Sequence, residues 1–234
     1  MRAFNLNTIM AAIAILLFFV PLVIVLFRKL WTDKFLRIFA VYCIIEGLVN
    51  LLDFIPSIPH KFISDLNVVY NMLDFPMMLF LIYQIAVPEK FRKFIKAGIA
   101  AYFVFQFYFL FKLGIQYDAI KYTMGLGLVL VIGSVLWMLV NYLQRPDLEN
   151  RQKAYMMILA SILFDYGTFV VIYIFDYFMG DAAPNKDNLL LYYASSIVGM
   201  IITIAGLLLI RNKPKVKKPR QGIFYGQQPI TEIY

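Results

Sequence analysis

Seven stretches of the chain run for about 20 residues with almost no charge, and short polar pieces separate them. They cover residues 8–27, 36–55, 66–87, 95–113, 119–142, 154–177 and 188–210. At about 1.5 Å of rise per residue, a helix of that length crosses the roughly 30 Å hydrocarbon core of a bilayer. The pattern predicts an all-α, polytopic membrane protein, a bundle of seven transmembrane helices over residues 1–210. Connections between the stretches are too short to hold a soluble domain. The first stretch, Thr8 to Phe27, is long for a signal peptide. Arg28 and Lys29 follow it where a small-residue cleavage site would be expected, so it is read as a span. Pro21 in the first span and Pro76 in the third each remove a helical hydrogen bond and are expected to kink their helices.

Residues 211–234 break the pattern. Six basic residues lie between Arg211 and Arg220, with Pro214 and Pro219 opposing helix. This segment is expected to be a flexible cytoplasmic tail that touches anionic lipid. Basic residues also orient the bundle. One side gathers Arg28, Lys29, Lys34 and Arg37, then Lys90 to Lys96, then Arg145, Arg151 and Lys153, then the tail, for 17 of the 22 Lys and Arg. The other side holds Arg2, Lys61, Lys112, Lys121 and Lys186. Positive charge collects on the cytoplasmic side, so the N-terminus is expected outside and the C-terminus inside. An odd number of spans is required for that arrangement.

Composition agrees with lipid as the main solvent. The chain is 62% hydrophobic and 15% charged, against roughly 45–50% and 25% for a soluble domain. Its net charge of +8 is explained by the inward-facing loops and tail, so no nucleic-acid partner is expected. The expected location is a plasma membrane or a bacterial inner membrane.

Side chains that do not belong in lipid carry the available chemistry. They are Glu46 and Asp53 in the second span, Asp74 in the third, Asp165 in the sixth and Asp176 near that span's outer end. Tyr42, Glu46, Asn50 and Asp53 fall within about 80° of helical arc, and Asn67, Asn71 and Asp74 within about 60°. Ser161, Asp165 and Thr168 share a face of the sixth span, and Tyr192, Tyr193 and Ser196 enter the seventh from outside. Two stripes share the pattern N-[LM]-L-D-F, at Asn50 to Phe54 and at Asn71 to Phe75, without a longer repeat around it.

A charged group at the bilayer centre costs about 2.5–3.5 kcal/mol on insertion scales, so these stripes should face inward. The expected result is an acidic, polar cavity facing outward, built from Glu46, Asn50, Asp53, Asn67, Asn71, Asp74, Asp165, Tyr192 and Ser196. No Lys or Arg lies deep in any span. Compensation for the acids must come from protons, water, a cation or a cationic ligand. The bland alternative is that protonated acids and amides only cross-link helices.

Thr123, Gly127, Ser134 and Asn141 in the fifth span, and Tyr192, Ser196, Gly199, Thr203 and Gly206 in the seventh, each share a face that is expected to pack helix against helix. The fourth span, with Phe103, Phe105, Phe107, Phe109 and Phe111, is expected to face lipid or a partner.

Several chemistries lack their residues. One cysteine, Cys43, and one histidine, His60, exclude an internal disulfide, a zinc site built on several histidines and bis-histidine haem. His60 is expected in an outer loop, away from any triad. No G-x-S-x-G or P-loop motif occurs. Retinal proteins need a lysine in the last span, and residues 188–210 have none. The D-R-Y and N-P-x-x-Y motifs of the eukaryotic seven-helix receptors are absent too. No family is recognised, no cofactor or metal is called for, and nothing marks a catalytic residue.

Three functions remain, in this order. The first is a receptor-like or accessory subunit that binds a small ligand or cation and signals through a membrane or cytoplasmic protein partner. The second is a proton- or cation-coupled transporter, although no inverted repeat is visible. The third is an intramembrane lipid-modifying enzyme using carboxylates as acid and base.

Overall fold

The computed structural model describes residues 6–52, 54–55, 57–114, 117–178 and 186–210. Asp53, the side chains of His60 and Asp176, and the tail 211–234 lie outside the described residues. Seven α-helices follow in chain order: α1 Leu6–Phe27, α2 Lys34–Leu52, α3 His60–Ile85, α4 Glu89–Leu113, α5 Tyr117–Leu143, α6 Asn150–Phe178 and α7 Lys186–Leu209. All seven are long and apolar enough to cross a membrane. A short 3-10 turn, Leu30–Thr32, joins α1 to α2.

Helix ends depart from the apolar runs in an instructive way. α3 starts at His60, six residues before its run, and α4 starts at Glu89, also six before. Hydropathy marks the lipid-soluble part of a helix, and the backbone continues past it while charged residues such as Lys90, Arg92 and Lys93 favour helix. Both early starts follow a proline, Pro59 or Pro88, in an extended conformation. This corrects the expectation that His60 lies in a loop: it opens α3. At the other end, α2 stops at Leu52 rather than 55, ahead of the turn at Phe54. Pro21 and Pro76 both lie inside continuous helices. Gly114 ends α4 at φ 77°, a conformation that other residues resist.

The helices pack as a ring. Neighbours run α1–α2–α3–α5–α6–α7, and α7 closes onto α1. α4 stands outside, in the groove between α3 and α5. Among the described residues, no pair facing across the ring, such as α2 with α6 or α3 with α7, approaches closely at the backbone. A space therefore remains at the centre, filled or left open by side chains.

Small residues set the close contacts. Gly127 on α5 leaves room for the Phe75 ring on α3, and a methyl group at 127 would overlap that ring. Gly206 on α7 lies over α6, where an added Cβ would come within 2.9 Å of Met157 and 3.2 Å of the Ala154 carbonyl. Thr203 donates to Ser161 at 2.9 Å across the same seam. Such hydrogen bonds are worth about 0.6–2 kcal/mol in a bilayer. These contacts give the predicted packing faces of the fifth and seventh spans their physical content. Asn141 is the exception: it is half-buried and bonds back to the Trp137 carbonyl.

α4 behaves as its phenylalanines suggested. Only 17% of its apolar window is buried, against 33–50% for the other helices. Phe107, Tyr108 and Phe111 point outward, while Tyr102 and Gln106 are buried on the inner face. The Tyr102 ring lies 5.8 Å from that of Phe75.

Candidate functional site

One half of the ring is packed with apolar side chains. At the end carrying the α1–α2 connection, Leu36, Ile82, Val135, Ile158 and Leu207 are buried in a continuous apolar core. Asp33 lies at this end and is 5% exposed. It accepts from the backbone N–H groups of Phe35 at 3.0 Å and Leu36 at 3.3 Å, capping α2. Its second oxygen takes the Arg151 guanidinium (Nε at 2.6 Å) and the Tyr155 hydroxyl, both from α6. Arg28, at the end of α1, donates to the Leu208 and Ile210 carbonyls at 2.8 Å each, which ties α1 to the end of α7.

The other half is hollow. A cavity of about 340 Å³ lies in the ring, toward the α2–α3 and α6–α7 connections. All six ring helices line it, and α4 contributes nothing. The structure brings eight of the nine sequence-predicted residues to its wall: Glu46, Asn50, Asn67, Asn71, Asp74, Asp165, Tyr192 and Ser196. The ninth, Asp53, lies outside the described residues. Thr168, placed on the same stripe as Asp165, is instead half-buried away from the cavity lining and bonds back to the Phe164 carbonyl.

The acids are surrounded by phenols. Glu46 Oε1 accepts from the Tyr192 hydroxyl at 2.7 Å and from Asn50 Nδ2 at 3.3 Å. Glu46 Oε2 accepts from Tyr70 and lies 3.3 Å from the Tyr42 hydroxyl. Asp74 accepts from Tyr42 at 2.8 Å on one oxygen and from Tyr166 at 2.6 Å on the other. Four helices thus meet in one network: α2, α3, α6 and α7. An unmade hydrogen bond on a buried group costs about 1–3 kcal/mol, so this network also holds the ring together.

Asp165 stands apart from it. Its Oδ1 is buried and has no hydrogen-bond partner. Its carboxylate lies directly on the bare backbone of Gly199, where any added Cβ would overlap it. No Lys, Arg or His among the described residues lines the cavity. The ion pairs found among the described residues, Arg151–Asp33 and Lys93–Glu89, are elsewhere. Nor do three or more His, Cys, Asp or Glu side chains among the described residues cluster closely enough to hold a metal ion.

Sequence reasoning missed two partners of the acids, Tyr70 and Tyr166. Tyr70 was within reach: it continues the stripe Asn67, Asn71, Asp74 at helical spacing. Tyr166 offered less, because it sits on the largely apolar face Ile162–Phe169–Tyr173. Asp33 was missed too, although an Asp before an apolar run is an N-cap signal. Asn50 and Asn71 turn out to donate to their own helices, at the Glu46 carbonyl (2.9 Å) and the Asn67 carbonyl (2.8 Å).

Comparisons with protein-family models, curated proteins and solved structures returned no match.

Proposed function

We propose that this chain is a receptor-like or accessory membrane subunit whose lumen binds a small ligand or cation and whose response passes through a protein partner. One observation carries the reading. Acidic and phenolic side chains from separate helices line a single cavity of about 340 Å³, with no cationic side chain among the described residues to neutralise them. Ligand sites of small molecules start near this size, about 300 Å³. The basic-residue bias supports a reading in which this half of the bundle faces outward. The short connections leave output to a partner in the membrane or at the cytoplasmic face, with the basic tail against anionic lipid.

An unpartnered acid at the lumen wall also suits a proton- or cation-coupled transporter. The apolar side chains packed into the opposite half of the ring, among them Leu36, Ile82, Val135, Ile158 and Leu207, favour the receptor reading. Purified chain in sealed liposomes separates the two. A receptor or accessory subunit moves neither protons nor organic cations, does not turn over lipid, and co-purifies from native membranes with a partner. Glu46→Gln and Asp74→Asn then change the ligand response in a folded protein. Cation or proton flux by the chain alone would overturn the reading.

A further inference from the structure

The three acids of the lumen differ in what they already hold. Each oxygen of Glu46 and of Asp74 has a hydroxyl or amide donor from the protein. Asp165 Oδ1 has none. It is also the acid pressed against a glycine, so that α7 presents bare backbone instead of a side chain that might cover it. On α6, Ile162, Phe169 and Ile172 lie three before, four after and seven after Asp165, and all three line the cavity with it. Met200, next to Gly199, and Met124 complete an apolar wall. The lumen therefore has a hydrogen-bonded acid side on α2 and α3, and on α6 an acid set among apolar side chains.

A cavity-wall carboxylate with a buried, unpartnered oxygen needs donors and positive charge together. A bare metal ion supplies charge, yet it needs several ligands converging on a point, and the described acids do not cluster that way. An ammonium group supplies charge and three N–H donors to one carboxylate. The adjoining apolar wall asks for a hydrophobic body attached to that ammonium, and Tyr and Phe faces in the lining attract cations as well. We propose that the cavity takes an amphipathic organic ammonium, with Asp165 as its anchor and the α6–α7 apolar wall holding its body. This rests on the reading of the lumen as a ligand site.

Full-length protein in lipid nanodiscs provides the test, with empty nanodiscs as the baseline. Calorimetric titration compares phenethylammonium with its neutral counterpart 2-phenylethanol and with the anion 3-phenylpropionate. The expected result is saturable binding of the amine, at least tenfold tighter than the alcohol, and no binding of the anion. Asp165→Asn should weaken the amine at least tenfold and leave the alcohol unchanged. The proposal is overturned if the amine does not bind saturably, if the alcohol or anion binds as tightly, or if folded Asp165→Asn binds the amine like wild type. The three-probe comparison uses only wild-type protein, so it decides the matter even if the variant does not fold. Tight alcohol binding would sink the ligand class and leave the lumen a ligand site. Amine binding followed by amine uptake into liposomes would keep the ligand class and sink the receptor reading.

Discussion

The two ends of the ring treat buried acid in opposite ways. Asp33 caps a helix, pairs with Arg151 and accepts from Tyr155, so its charge is fully answered by the protein. Glu46 and Asp74 are answered by hydroxyls and an amide without a cation, and Asp165 Oδ1 by nothing. A fold that needs an acid only for structure supplies its counter-charge, as at Asp33. Beside the open space the protein supplies hydrogen bonds without counter-charge, and the proposed ligand would bring the charge that is missing.

The largest test of that contrast is Arg151→Met. It leaves Asp33 buried without its cation and should cost about 2–3 kcal/mol, near the low end for broken buried pairs because the Arg151 side chain is 54% exposed. Denaturant titration in mild detergent measures it. Adding Asp33→Asn should recover part of the loss, and an unchanged midpoint for Arg151→Met would break the comparison. Gly127→Ala should follow, at about 1–3 kcal/mol, because its methyl group meets the Phe75 ring. A smaller loss there would mean that α3 and α5 can slide apart, loosening the Asp74 wall. Asp165→Asn should shift stability by less than about 1 kcal/mol, since no protein donor is lost. A loss as large as that of Arg151→Met would make Asp165 structural and erase the difference between the ends. The smallest effect belongs to Phe107→Leu on the outer face of α4, within about 0.5 kcal/mol in the same titration.

The membrane fold was legible because hydropathy over about 20 residues reports the solvent directly. The arrangement of helices was not. That α4 leaves the ring, and that α3 meets α5 instead, depends on pairwise fits such as Gly127 with Phe75 that no single segment encodes. Within the site, charge and spacing together found the acids and amides, since lipid makes each of them conspicuous. Tyrosine is inconspicuous in a chain with 16 of them, so the phenols on Glu46 and Asp74 escaped notice except Tyr42 and Tyr192. Asp33 was legible as a cap, but its partner lies 118 residues further on.

Tyr42 stands between Glu46 and Asp74 with a single hydrogen to give. At any instant one acid receives it and the other goes without. Turning the phenol's C–O bond passes the hydrogen across, with no backbone displacement and on the fast timescale of side-chain rotation. Whatever changes the electrical state of one acid is therefore felt at once by the other, and the α2 and α3 walls register a single event together.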